Sequence, residues 1–114
     1  MELKQTLIDH SKHPHNFGEL ANSLVIEEGN QSCGDMVRMY LIIDGGVIKN
    51  VKFKGLGCAI SIASSSLLTD FIKGKTVEEA KSLTPEKVFE LLGTNVSPGR
   101  LRCALLPLQA LKKL

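Results

Sequence analysis

Residues 36–58 read MVRMYLIIDGGVIKNVKFKGLGC. In the first half, Val37, Met39, Leu41 and Ile43 alternate with Arg38 and Tyr40, the period of two of a strand with one buried face. Asp44-Gly45-Gly46 supplies residues that accept positive φ, the chemistry of a tight hairpin. The following run places Val47, Val51 and Phe53 on one face and Asn50, Lys52 and Lys54 on the other. The stretch therefore predicts a β-hairpin that ends in Gly55-Leu56-Gly57-Cys58.

Beyond Cys58 the period changes. Ile60, Leu67, Leu68, Phe71 and Ile72 mark a helix that stops near Gly74, with Cys58 at its start. Thr76 followed by Glu79 matches a capping box, and Thr84-Pro85 and Ser97-Pro98 each set a cap residue before a proline at the first helical position. Three further helices are expected. The last, from Pro98 onward, has an apolar stripe of Leu101, Ala104, Leu105, Leu108 and Leu111. Upstream of the hairpin, Leu24-Val25-Ile26 reads as a short strand and Glu27 to Ser32 as a polar loop. Residues 2–12 carry Leu3, Leu7 and Ile8 at helical spacing before Pro14 and Gly18 interrupt. The order of one helix, three strands and four helices predicts an α+β fold: a small three-stranded antiparallel sheet with helices packed on one face.

At 114 residues and 43% hydrophobic content the chain is the size of a single domain, 1–114, with one modest core. A net charge of +2, no basic block, one Tyr, four Phe and no Trp argue against nucleic acid, which needs a charged track and stacking platforms. The N-terminus has no apolar export segment and no stretch is long enough to span a membrane. A cytoplasmic chain with free thiols is expected, because three cysteines cannot all pair within it.

The cysteines are distinguished by their surroundings. Cys33 lies in Ser32-Cys33-Gly34-Asp35, where glycine permits close approach to a bound atom and a carboxylate follows two residues later. Cys58 opens a helix, whose unpaired N–H groups favour thiolate. Cys103 falls about 160° to 200° from the centre of the stripe set by Leu101, Leu105 and Leu108, so it should look outward or toward a neighbouring loop. There is no C-x-x-C, so spacing alone does not specify a metal site. His10, His13 and His15 form H-x-x-H-x-H, but a proline splits the run and surface histidines are the expectation. Ser64-Ser65-Ser66 has no adjacent base and reads as small residues for close helix packing.

The runs Ser-Cys-Gly-Asp (32–35), Phe-Lys-Gly-Leu-Gly-Cys-Ala-Ile-Ser-Ile-Ala-Ser-Ser-Ser-Leu-Leu-Thr-Asp (53–70) and Arg-Cys-Ala-Leu-Leu (102–106), with His10, Pro14 and Asn16 upstream, resemble the IscU/SufU/NifU-N family of iron-sulfur assembly scaffolds. That resemblance implies that Cys33, Asp35, Cys58 and Cys103 hold a labile [2Fe-2S] cluster, or Zn2+ as alternative occupant. It implies a scaffold or carrier rather than an enzyme, a cysteine desulfurase and apo iron-sulfur clients as partners, and a monomer or cluster-bridged dimer. Soft thiolates suit both occupants, and one harder carboxylate would hold a cluster less permanently than a fourth thiolate. Where the IscU branch has histidine before the third cysteine, this chain has Arg102, which has no lone pair to donate. A basic residue there resembles the SufU branch, zinc-containing sulfur acceptors for a desulfurase, although the stretch Glu90 to Arg100 has no room for the insertion that branch carries. A purely structural zinc domain is the remaining alternative, and it requires a closed site.

Overall fold

The computed structural model describes residues 5–30, 34–93 and 96–114. In chain order it comprises α1 (Gln5–Lys12), β1 (Leu24–Asn30), β2 (Asp35–Asp44), β3 (Val47–Leu56), α2 (Ala59–Ile72), α3 (Val77–Lys81), α4 (Pro85–Leu92), a 3-10 turn (Pro98–Arg100) and α5 (Leu101–Leu111). The strands form an antiparallel sheet in the order β1-β2-β3. Gly45 and Gly46, at φ 59° and 78°, make the two-residue turn between β2 and β3. Positive φ at both turn positions matches the twist of the flanking strands.

One face of the sheet buries Val37, Met39, Leu41, Ile48, Val51 and Phe53 against α2 and α5. The expected sheet with helices on one face is therefore present, with three corrections. β1 runs on to Asn30 rather than ending at Ile26, because Glu27 stands opposite Arg38 in the ladder and their side chains pair at 2.8 Å. Polar residues read as loop are thus held in a strand by their partner. In β3 the buried face starts at Ile48 and not at Val47. The register shifts between Ile42 and Ile43, leaving Lys49 outside the pairing, and one extra residue inverts which side chains point inward. In α5, Leu101 and Leu105 are only partly buried, whereas Cys103, Leu106 and Pro107 are buried. This helix is covered by the sheet on one flank and by α2 and α4 on others, so a single stripe does not describe it.

α2 is the central helix. Its serines 64, 65 and 66 are buried, Ser64 Oγ donating to the Ala104 carbonyl at 2.5 Å and Ser65 Oγ to the Ser61 carbonyl at 2.9 Å. Small side chains allow α5 to approach closely, as expected. The N-terminal segment then crosses the far edge of β3. Gly18 N–H donates to the Phe53 carbonyl and Phe53 N–H to the Asn16 carbonyl, both at 2.8 Å, and Phe17 meets the Phe53 ring edge-on at 5.4 Å. The capping box of Thr76 and Glu79 and the Thr84 cap with Pro85 form as expected. Ser97 makes no side-chain cap, and a 3-10 turn precedes α5.

Candidate metal centre

Three elements converge at the end of the sheet where β3 passes into α2. Asp35 is the first residue of β2 and is buried. Cys58, extended at φ −73° and ψ 168°, is the N-cap of α2, and its side chain makes no cap hydrogen bond. Cys103, in the first turn of α5, is buried. One ligand atom from each of Asp35, Cys58 and Cys103 lies within 4.8 Å of the other two. Of the four residues expected as ligands, the structure brings Asp35, Cys58 and Cys103 together, while Cys33 lies outside the described residues.

The backbone at 55–57 makes the approach possible. A methyl group on Gly57 would lie 2.9 Å from Asp35 Cγ and 3.0 Å from Ser61 Oγ, and one on Gly55 would lie 2.7 Å from the Met36 carbonyl oxygen. The 2.7 and 2.9 Å contacts are shorter than a Cβ tolerates, so space favours glycine at both positions.

Cys103 does not look outward. It turns from the Leu101/Leu105 flank as its helical angle implies, but what lies there is the site. Burial pushes its thiol pKa up, and hydrogen bonding to Asp35 and to Cys58 pushes it further. Without metal, Cys103 is a thiol whose S–H faces a carboxylate. Pro107 lies within α5 and has no N–H for the Cys103 carbonyl four residues earlier, which loosens the turn that carries this ligand.

Among the described residues, Asp35 Oδ2 is the buried side-chain polar atom that has no hydrogen-bond partner. A buried acceptor left unmatched costs about 1–3 kcal/mol and more when charged. A cation held by this carboxylate and the two thiolates would remove that deficit, so the donor set fits a thiophilic metal. Cys58 is only partly buried, so the site is not fully closed. Leu56 is 68% exposed and Phe17 48%, and with Met36, Arg38, Lys54 and Gly55 they line a cavity of about 320 Å³ on the outer face of the sheet, opposite the face that carries Asp35.

The histidines do more than surface residues would. His10 Nδ1 and Ser66 Oγ are 2.6 Å apart, the His15 backbone N–H donates to the same Ser66 Oγ at 2.7 Å, and His15 Nδ1 meets Asp70 Oδ2 at 2.6 Å. Asn16 donates to Asp70 Oδ1 at 2.8 Å and to Thr69 Oγ1 at 3.0 Å. Burial and the neighbouring His15 lower the His10 pKa. Burial opposes ionisation of Asp70, but hydrogen bonds from Asn16 and His15 outweigh it and lower that pKa. Asp70 and Ser66 went unrecognised in the sequence because their partners lie more than fifty residues away. Lysines on the surface also have partners: Lys54 pairs with Glu19 at 2.7 Å, Lys112 donates to the Leu83 carbonyl at 3.1 Å, and Lys113 reaches the Glu27 carbonyl.

Residues 2–113 match the family model described as NifU-like N terminal domain. The chain is 36% identical to the zinc-dependent sulfurtransferase SufU of Bacillus subtilis, over 96% of this chain and 86% of that one. It is 41% identical to the iron-sulfur cluster assembly scaffold protein IscU of Thermotoga maritima, over 90% and 72%. Among solved structures, SufU of Fervidobacterium islandicum AW-1 superposes with a TM-score of 0.81 at 33% identity, covering 96% of this chain and 93% of that one.

Proposed function

The chain belongs to the NifU-like N-terminal domain family, and from that premise we propose that it assembles a labile [2Fe-2S] cluster on Cys33, Asp35, Cys58 and Cys103 and passes it to apo-proteins. The relatives include iron-sulfur cluster assembly scaffolds. The observation that carries the reading is the Asp35 carboxylate, buried beside two thiols with one oxygen unmatched. Cys33, two residues from Asp35 in sequence, supplies the third thiolate. Sulfur arrives as the terminal atom of a desulfurase persulfide: a thiolate of the scaffold attacks it, the S–S bond breaks and the desulfurase thiolate leaves. Reduction of that sulfur to sulfide draws electrons from Fe2+ and from an external donor of the dithiol or ferredoxin class. The exposed Leu56 and Phe17, with Arg38 and Lys54 alongside on the outer face of the same sheet end, form the surface on which a desulfurase docks. The compartment of this exchange is the cytoplasm.

A carboxylate in place of a fourth thiolate, together with a partly exposed Cys58, suits cargo that must leave. It does not suit a structural zinc, which favours a closed site.

The likeness to the zinc-dependent sulfurtransferase and the presence of Arg102, which is not a ligand, favour a second reading in which Zn2+ occupies the site and a thiol accepts persulfide sulfur. The alignment with that relative runs over 129 residues against a chain of 114, so the relative has positions this chain lacks.

Anaerobic reconstitution with Fe2+, cysteine, dithiothreitol and a cysteine desulfurase tests both. A [2Fe-2S] spectrum that is lost in Cys33→Ser, Cys58→Ser and Cys103→Ser and moves to an apo-ferredoxin establishes the scaffold. Tight zinc, no cluster and a zinc-dependent rise in desulfurase turnover establish the sulfur acceptor.

A further inference from the structure

The second cluster of metal-binding side chains lies away from the thiols. His10 is at the end of α1, His15 in the segment that follows, and Asp70 near the C-terminal end of α2. Cys58 and Asp70 are separated by most of the length of α2, about 18 Å at 1.5 Å per residue. One ligand atom from each of His10, His15 and Asp70 lies within 4.8 Å of the other two, and the imidazole centroids are 4.4 Å apart.

The groups are oriented by neighbours that are not ligands. Ser66 Oγ is buried on α2 and fixes His10 through Nδ1 and the His15 backbone through its N–H. Asn16 holds the other oxygen of Asp70, so Oδ2 is the one presented to His15. Such supports fix which ring nitrogen and which carboxylate oxygen face a metal. With its proton on Nδ1 toward Ser66, His10 keeps a lone pair on Nε2. The His15–Asp70 contact at 2.6 Å holds a proton where a cation would sit, so binding exchanges that proton for the ion.

We propose that His10, His15 and Asp70 form a second metal site, independent of the cysteines, for a divalent first-row ion such as Zn2+ or Fe2+. Two imidazoles and one carboxylate suit such ions, and three protein ligands leave positions open for water or exchange. The nitrogen and oxygen donors make it a harder site than the thiolate centre. An ion there would tie the segment after α1 to α2. His13 is exposed and not part of the cluster.

The test is calorimetric titration of the full chain carrying Cys58→Ser, which weakens the thiolate centre, with Zn2+ near pH 7.5. The expected result is one saturable event that weakens at least tenfold on adding His15→Ala or Asp70→Asn, with circular dichroism unchanged. In the otherwise wild-type chain, His15→Ala lowers bound zinc from two equivalents to one. Zinc uptake that is the same with and without His15→Ala and Asp70→Asn overturns the proposal. Because His15→Ala and Asp70→Asn do not touch the proposed cluster ligands, the difference they make is separate from success or failure of cluster assembly.

Discussion

Asp35 is a buried carboxyl group close to the Cys58 and Cys103 thiols with one oxygen unmatched, and its removal acts directly on what the site holds. Asp35→Ala deletes the harder donor of the proposed cluster site. A reconstituted cluster should then persist longer in air and in chelator, followed by the decay of its visible absorption. An unchanged or shorter lifetime would mean that the carboxylate does not confer lability. Gly57→Ala acts on the same group from the backbone, since the added methyl falls 2.9 Å from Asp35 Cγ. It should weaken zinc binding at the thiolate centre at least tenfold by chelator competition while the far-ultraviolet spectrum stays native. In the sequence, adjacency linked Asp35 only to Cys33, and its place beside Cys58 and Cys103 followed from the family resemblance. That the Gly57 backbone closes against it was not readable there, because the contact crosses from β3 to β2.

Among the elements, α2 is the one whose side chains are engaged on nearly every face, and its buried hydroxyls are where one substitution separates packing from hydrogen bonding. Ser66→Ala takes the acceptor from the His15 N–H and the partner from His10. It should destabilise the chain by about 1–3 kcal/mol in urea unfolding. Hydrogen exchange should speed up locally over residues 10 to 16 more than in the sheet. A uniform rise in exchange would show that Ser66 supports the whole core and not this segment alone.

The elements also show what pattern reading reaches. The hairpin was readable because Gly45-Gly46 and alternation agree, and α2 because its period and its glycine stop agree. The inward face of β3 was not, since the slip that puts Ile48 inside and leaves Lys49 unpaired belongs to the pairing of two strands. The flanks of α5 escaped for the same reason. Covered from several sides, it buries Leu106 and Pro107 as well as Leu108, and burial on multiple flanks blurs a 3.6-residue period.

For the molecule as a whole, two groups should make stability depend on pH on either side of neutrality, with opposite sign. Cys103 has its pKa raised by burial, Asp35 and Cys58. Above the ordinary thiol value of about 8.5 the unfolded chain therefore gives up this proton first, and folded stability falls as pH rises. His10 has its pKa lowered by burial and by His15. Below about 6.5 the unfolded chain binds the extra proton first, and stability falls as pH drops. Thermal unfolding of the metal-free chain should show a maximum between these limits. Zinc at the thiolate centre should remove the alkaline decline, because the ligands are then ionised in the folded state, and His10→Gln should flatten the acid one. An alkaline decline that survives saturating zinc would mean that Cys103 does not ligate the ion.

The two glycines that flank Asp35 in space differ in what a genome can do with them. Gly34 has φ 74° with none of the described residues within 4 Å of an added methyl, so the constraint visible there is conformational. Asp, one base away from the glycine codons GGT and GGC, tolerates that backbone better than most residues. Gly57 is constrained by volume, and every residue a single base change can write there carries a Cβ. In a library of random point mutants selected for metal binding, codon 34 should therefore keep a narrow route of tolerated change. Codon 57 should be recovered only with silent substitutions, so the geometry around one carboxylate becomes a fixed letter in the gene.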